Sequence, residues 1–452
     1  MDQTIVRHVG RGWLVCLSLF AAACDQTQGT GGNGPPDLTM ALPGDAAMAN
    51  DGGAVDLAML RTRPFPDTSK RIAVLADQLP GLSVPQRMFV VSHFVGTQKL
   101  TLDLSKPLRA LSPDFLVLHY HLAIWQSAPG VDFIVDGKTW GNDYPTVDMH
   151  EPWFWHNANG QRVASNVDKK LLMNIADPGF QQYWADSLVA QTVAGDYDGI
   201  FFDSASPALL NFEAQSPSEP RFAGTGVKDN VLPELGNKTY IHAWEDWMAA
   251  LDARLAGRGI PLIPNTSAFV TTWDNTNYGL TAGAFVEGFA SPSFSLADWK
   301  ASTTTLLGLT AKNKIVILQN YLKATTDLAN RRYYLANYLL VKGSRTYLDY
   351  FSGGPLEWYP EWTIDLGAAT QTGAKADDLF KNGVYQRSYE KGLVLVNPSG
   401  SPVTVMLPGP MKRVEPQGGG AIPMDGSTPG TIGASLVTSI IVPAAGAEIF
   451  LQ

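Results

Sequence analysis

Short apolar runs that alternate with amphipathic helical stretches constrain this chain more than any other feature. Eight such runs lie between about Ile72 and Phe351: MFVVSHF, FLVLHYH, KLLMNI, GIFFD, PLIPN, GAFVEGF, KIVILQN and TYLDYF. They lack the apolar–polar alternation of half-exposed strands, so they read as parallel strands buried on both faces and covered by helices. Several of the intervening helices are explicit. In IADPGFQQYWADSLVAQTV, Asp177 is placed as N-cap and Pro178 as the first helical residue, and Phe180, Trp184 and Leu188 follow at intervals of four as one apolar stripe. TYIHAWEDWMAALDARLAGRG repeats the design with Ile241, Trp244, Met248, Leu251 and Leu255, and stops at Gly257 or Gly259. DLANRRYYLANYLLVKG supplies a third helix. Eight strands in this length predict the α/β class and a (β/α)8 TIM barrel over residues 69–360. A doubly wound open sheet is the alternative, but it wants a glycine-rich phosphate turn after the first strand, and VSHFVGTQKL has a single glycine there.

Beyond Pro360 the helical period disappears. VYQRSYEKGLVLVNPSGSPVTVMLPG and LVTSIIVPAAGAEIFLQ read as strands joined by Gly, Pro and Asn turns, a small antiparallel β-sandwich domain over 375–452. With 452 residues, 45% of them hydrophobic, the chain can fill a large core and leave material for this second domain. Its net charge of -9 argues against a nucleic-acid partner, which needs a basic face.

The first 24 residues read as an export signal: Arg7 and Arg11 precede an apolar run too short to remain as a spanning helix. Its end, Phe20-Ala21-Ala22-Ala23-Cys24, resembles the bacterial lipobox, with Ala21 where Leu is usual, so Cys24 is the expected lipidation site and ordinary cleavage nearby the alternative. Both cysteines, Cys16 and Cys24, fall in this segment, which leaves the mature protein no thiol pair for a disulfide. Residues 25–68, rich in Gly, Ala, Asp and Pro, read as a tether. The expectation is an exported monomer, held to a membrane by its lipid anchor only, or secreted.

In a barrel the active site forms where the strands end, so strand-final polar residues are the ones to collect. They are His93, His119 with His121, Asn174 with Asp177, Asp203, Asn265, Glu287, Gln319 and Asp349. Asp203 ends the run Ile200-Phe201-Phe202, and Glu287 interrupts Phe285-Val286 and Gly288-Phe289. Two carboxylates aimed into one mouth are the equipment of glycoside hydrolysis. Glu287, with aromatic neighbours that would raise its pKa, is assigned as general acid/base; Asp203, followed by hydroxyls, as nucleophile or base. The plainer alternatives are that Asp203 caps a turn and that Glu287 pairs with a buried arginine.

Residues 123–168 form an insertion with Trp125, Trp140, Trp153 and Trp155. Indole faces suit pyranose rings, with Asn142, Asp143, His156 and Asn157 to meet hydroxyls, although tryptophans in a long loop more often build its private core. His119 and His121 have a metal-ligand spacing, but the later strands add no histidine, so substrate hydrogen bonding or a core imidazole is preferred and neither metal nor cofactor is required.

The ordered set HEPWFWHNANGQRV, LLMNIADPGFQQYW, DYDGIFFDS, IPNT and FVEGF resembles the hypothetical glycosyl hydrolase family 15 and the related endo-α-1,4-polygalactosaminidase-like barrels. The likeness covers roughly residues 86–352, and the run RSYEKGLVLVNP resembles the C-terminal sandwich of those proteins. It implies a TIM-barrel glycosidase with Asp203 and Glu287 in the carboxylate positions, as in α-galactosidase-type barrels with their pair on strands four and six. The expected substrate is a poly- or oligosaccharide, gripped by His93, His119, His121, Trp125, Trp155, Asn174, Asn265, Gln319 and Asp349. A surface lipoprotein that grips a polysaccharide without cutting it is the alternative of another class, and a metal-dependent hydrolase barrel a more distant one.

Overall fold

The computed structural model describes residues 63–127, 144–214, 218–222, 230–268, 270–354 and 356–452, and between 128 and 143 only the backbone of two short strands. The chain divides into Met1–Leu60, outside the described residues, and one compact unit from Arg61 to Gln452. The predicted signal, Cys24 and most of the tether therefore lie outside the description. The end of the predicted tether is packed. Arg63 Nη1 donates to Asp198 Oδ1 (3.0 Å), Phe65 lies edge-on to Tyr347, and Tyr347 donates to Pro66 O (2.7 Å).

The larger, N-terminal part of the unit is a mixed α/β structure built on a curled parallel half-barrel sheet. Its elements, in chain order, are β1 Val74–Gln78, α1 Val84–His93, β2 Phe94–Lys99, α2 Leu102–Leu111, β3 Leu116–Val117, β4 His119–Leu122, β5 Trp125–Gln126 and β6 Leu171–Leu172. Next come α3 Pro178–Ala194, β7 Ile200–Asp203, α4 Tyr240–Ala256, β8 Leu262–Pro264, β9 Gly283–Glu287, α5 Leu296–Ala311, β10 Ile315–Tyr321, α6 Leu328–Val341 and β11 Thr346–Phe351. One six-stranded sheet has the order β9-β10-β11-β1-β2-β3, and a three-stranded sheet has the order β8-β7-β4; every pairing in both is parallel. The two meet twice. β3 runs into β4 across Leu118 alone, and Asn265, just past β8, makes a parallel bridge to Phe285 of β9.

The expected helices form where their signals lie. Asp177 accepts from Phe180 N at the head of α3, Thr239 caps α4 and Gly257 follows it, and Asp327 caps α6. Two of the eight expected strands do not join the parallel sheet. MFVVSHF is mostly helix, because Ser83 and Gln86 exchange reciprocal bonds as a capping box one turn upstream and commit the segment to α1. The pair Leu171–Leu172 within KLLMNI is antiparallel to Trp125–Gln126 in the insertion. Their places in the parallel set are taken by VLADQ and FVGTQK, whose polar residues broke the apolar run. Asp203 and Glu287 still fall on the fourth and sixth parallel strands of the chain, counting β3 and β4 as one.

The core inside the curl gathers Leu75, Leu116, Leu118, Tyr120, Phe201, Ile263, Phe285, Ile317 and Tyr347. Successive side chains of a strand alternate between faces, so residues two further along point the same way as these. That places Asp77, Asp203, Asn265, Glu287, Gln319 and Asp349 one layer above the apolar plug.

The C-terminal strands are β12 Phe380–Lys381, β13 Val384–Tyr389, β14 Gly392–Asn397, β15 Val403–Gly418, β16 Gly430–Val442 and β17 Gly446–Leu451. They are antiparallel, as expected, but hydrogen-bonded into one sheet of order β12-β13-β14-β17-β15-β16, where a two-sheet sandwich was expected. An irregularity between Met406 and Met411 bends β15, and residues of five strands share one core around Val384, Leu395, Val405 and Phe450. This sheet packs on α6: Arg387 Nη1 donates to the carbonyls of Leu339, Leu340 and Lys342, and Tyr389 to Leu339 O. Arg331 of α6, 1% exposed, makes a two-pronged pair with Glu361 at 2.8 and 2.6 Å and donates to Gly418 O. Gly419 follows at φ 101°, where a side chain would meet Tyr359 and the Arg331 guanidinium. Among the described residues no helix is long and apolar enough to cross a membrane.

Arg331→Met leaves Glu361 buried without its cation, and the expected loss is about 3–5 kcal/mol of unfolding free energy. Urea denaturation of wild type and variant measures it. A loss below about 1 kcal/mol would show that the Glu361 site relaxes without its partner.

Candidate active site

Three strand ends meet at one side-chain nitrogen. Asn265 Nδ2 donates to Asp203 Oδ1 (2.7 Å) and to Glu287 Oε2 (2.8 Å). A single nitrogen cannot hold its two acceptors further apart than the sum of those lengths, 5.5 Å. The backbone sets this convergence: Asn265 N donates to Phe202 O on one side, and Thr266 N to Phe285 O on the other. Each segment then turns away at once, with Ser204, Ser267 and Gly288 in the left-handed region at φ 49°, 51° and 76°. Such strain in non-glycine residues gathers where the surrounding structure over-determines the backbone, commonly at functional sites.

Both carboxyl groups are half-buried and hydrogen-bonded. Asp203 Oδ1 also accepts from Ser204 N (2.8 Å), so this residue caps its turn as well as facing Glu287, and Oδ2 accepts from the Tyr120 hydroxyl (2.8 Å). Glu287 Oε1 accepts from the Tyr321 hydroxyl. The partners found for Glu287 are thus Tyr321 and Asn265, not the buried arginine of the plainer alternative. Burial raises the Glu287 carboxyl above its ordinary range, and the Asp203 carboxylate adds to the rise.

Beside the pair, in the same layer, lies a second polar group. Lys99 Nζ, at the end of β2, pairs with Asp77 Oδ1 (2.8 Å). Asp77 N donates to Asp349 Oδ2 (2.8 Å), and burial holds the Asp349 carboxyl well above the usual carboxylate range. Gln319 Oε1 accepts from Gln98 Nε2 (2.9 Å), and Gln319 Nε2 donates to the Tyr321 hydroxyl (3.1 Å). Of the expected residues, Asp203, Asn265, Glu287, Gln319 and Asp349 are therefore brought into one connected region.

The others are placed elsewhere. His93 ends α1, just before the start of β2, and stacks on Phe89 beside Trp358. His119 and His121 have the opposite parity from Tyr120 and face α3: His119 Nδ1 is 3.0 Å from Thr192 Oγ1, and the His121 ring meets Trp184 edge-on. They are imidazoles packed beneath a helix. Trp125 is fully buried, and Trp155 is buried with its indole N–H on Glu219 Oε2 (3.1 Å), so neither offers a face to a pyranose. Trp153 is stacked with His150 and Tyr183. Asn174 accepts from Ala176 N in the turn before α3, a local structural bond. Trp140, Asn142 and Asp143 lie outside the described residues.

Sequence reasoning missed Asp77, Lys99, Tyr120, Tyr321 and Glu213. Glu213 ends a short helix, Leu210–Glu213, in the segment that follows Asp203; it is 9% exposed and its Oε2 is buried without a hydrogen bond. Burial pushes its carboxyl up to about 8, against the pull of Lys170 and with the repulsion of Asp168 and Asp203. A cleft lined by Arg63, Phe65, Asp198, Pro261 and Arg345 opens at the strand starts, the end away from these carboxyl groups.

A family model described as hypothetical glycosyl hydrolase family 15 matches residues 109–393, more than half of the chain, and the protein belongs to that family. No curated protein matches. Similar solved structures include alpha-L-fucosidase isoenzyme 2 from Paenibacillus thiaminolyticus, at 11% identity and TM-score 0.37, covering 64% of this chain and 46% of that one. The noncanonic maltogenic alpha-amylase AmyB from Thermotoga neapolitana aligns at 12% identity and TM-score 0.38, over 84% and 99% of the two chains. The cycloalternan-degrading enzyme from Trueperella pyogenes aligns at 10% identity and TM-score 0.36, over 78% and 51%. The chain spans about half the length of the first and third of these.

Glu213 holds its proton more tightly in the folded protein than in the unfolded chain. Its folded pKa lies above the unfolded value of about 4.3, so the folded state binds the extra proton and stability declines as pH rises from that value to about 8. Glu213→Gln removes the decline. Its melting temperature, relative to wild type, is expected to rise by about 3 °C or more between pH 4 and pH 8.5. Scanning calorimetry at the two pH values measures the gap, and a gap independent of pH contradicts the assignment.

Proposed function

We propose that the eight parallel strands close into a (β/α)8 barrel and that Asp203 and Glu287, at its C-terminal mouth, hydrolyse a glycosidic bond with retention of configuration. Membership of a glycosyl hydrolase family supports the reaction class. The observation that carries the mechanism is the shared Asn265 nitrogen, which limits the facing oxygens to 5.5 Å. An upper limit of 5.5 Å between these two oxygens is compatible with the about 5–5.5 Å of retaining carboxylate pairs and falls short of the about 6.5–9.5 Å of inverting ones.

Asp203 Oδ2 accepts one hydrogen bond where Oδ1 accepts two, which makes it the freer nucleophile. It attacks the anomeric carbon while Glu287, its pKa raised, protonates the departing glycosidic oxygen. The Glu287 carboxylate then takes a proton from water, which attacks the same carbon and releases Asp203. The substrate in this proposal is an oligo- or polysaccharide outside the cytoplasm, reached by an exported protein that Cys24 anchors through lipid.

A screen of aryl glycosides, followed by α-linked galactosamine, galactose and glucose polymers, identifies a substrate. On it, Asp203→Asn is expected to lose activity about a thousandfold and to recover part of it with azide. NMR of the first-formed product is expected to show the substrate's own anomeric configuration. Near-normal turnover in Asp203→Asn, or an inverted product, would reject the mechanism. In wild type the alkaline limb of kcat/KM is expected above the ordinary glutamate range, because activity falls as Glu287 loses its raised proton.

A further inference from the structure

Among the described residues Lys99 is the lysine whose ammonium acts on both members of the carboxyl pair, whereas Lys170, beside Asp168 and Glu213, acts on Asp203. The Lys99 side chain is 14% exposed, it pairs with Asp77, and its Nζ lies 5.3 Å from the Tyr120 ring centroid and 5.5 Å from that of Phe201. Tyr120 is the residue whose hydroxyl holds Asp203 Oδ2, and Phe201 stands two before Asp203 on the same strand. The titratable groups around it are Asp77 on β1, Tyr120 on β4, Asp203 on β7, Glu287 on β9, Tyr321 on β10 and Asp349 on β11. Four are carboxylic acids with Lys99 as the cation among them, and Asp203 also lies in the field of Lys170, Asp168 and Glu213.

We infer that Lys99 is a positioning residue of electrostatic kind: it stabilises one negative charge, not two, on the Asp203–Glu287 pair, so that one carboxyl is ionised while the repulsion between the two leaves the other to carry the proton. The inference rests on the hydrolytic reading of that pair. Burial alone would lower the Lys99 ammonium, and the Asp77, Asp203 and Glu287 carboxylates outweigh it and raise it, so the charge persists through the neutral range. During glycosylation the bond from Asp203 to the anomeric carbon forms as the bond to the leaving oxygen breaks. That oxygen takes the proton of Glu287. The single charge passes from Asp203 to Glu287 and the total is unchanged, and hydrolysis of the ester returns it. A cation in the field of both groups serves both states, whereas a hydrogen bond to either one would favour a single state.

The test reads protonation directly, without a known substrate. The purified full chain is treated with a water-soluble carbodiimide and an amine, which couple to protonated carboxyls, and labelling of the Glu287 peptide is followed by mass spectrometry across pH. Lys99→Met is expected to move the Glu287 midpoint up by about one pH unit, a tenfold change in the ratio of protonated to ionised forms. Lys99→Arg, which keeps the charge, is expected near the wild-type midpoint. Asp77→Asn frees the Lys99 charge to act on the pair and is expected to move the midpoint down. A folded Lys99→Met with an unmoved midpoint would overturn the inference. If Lys99→Met does not fold, an unmoved midpoint in Asp77→Asn does so alone. The stated shifts in a protein that cleaves no glycoside support the charge assignment and count against the hydrolytic reading only.

Discussion

One carboxamide nitrogen, Asn265 Nδ2, donates to two carboxyl groups from different strands, and the upper end of the parallel sheet is organised around that fork. Like-charged oxygens this close do not ionise together cheaply, so the fork both holds the pair and forces its members to differ in proton affinity. The fork needs β8 wedged between β7 and β9 with Asn265 one residue past its end, and the backbone bonds to Phe202 O and from Thr266 N to Phe285 O fix that placement. Left-handed Ser204 and Ser267 cost of order 1–3 kcal/mol each. The apolar plug directly beneath, filled by Phe201, Ile263 and Phe285, offsets such costs and leaves the strand ends no freedom to relax.

The apolar runs that end on Asp203, Asn265 and Glu287 were legible because a buried strand closing on a polar residue is informative in itself. The same rule hid β1 and β2. VLADQ and FVGTQK carry Asp77, Gln98 and Lys99 within short strands, so polar groups that stand beside the carboxyl pair are the ones that disguised those strands. Tyr120 and Tyr321 were hidden differently. An aromatic residue in an apolar run reads as core, and only its hydroxyl at a strand end distinguishes a site residue.

Parity was the other missing quantity. HYH on one strand must send both imidazoles to one face and Tyr120 to the other, but the sequence does not say which face looks inward. Helix α3 decides it, by presenting Thr192 and Trp184 to the histidines. The tryptophans of the insertion were open between sugar platform and private core, and Trp125 and Trp155 were resolved as core by burial. His93 and Asn174 fall away from the carboxyl pair because the segments that lead to them are a capped helix and one strand of an antiparallel pair, where parallel strands were expected.

The most direct measurement of the central claim is the mass of Glu287→Gln caught during turnover of a glycoside with an activated leaving group. Lacking the base for the second step, this variant should accumulate a sugar ester, and digestion should place the added mass on the peptide containing Asp203. Label found on a different carboxyl, or free sugar released at full rate with no adduct at any time, would contradict the arrangement of two acids around one amide.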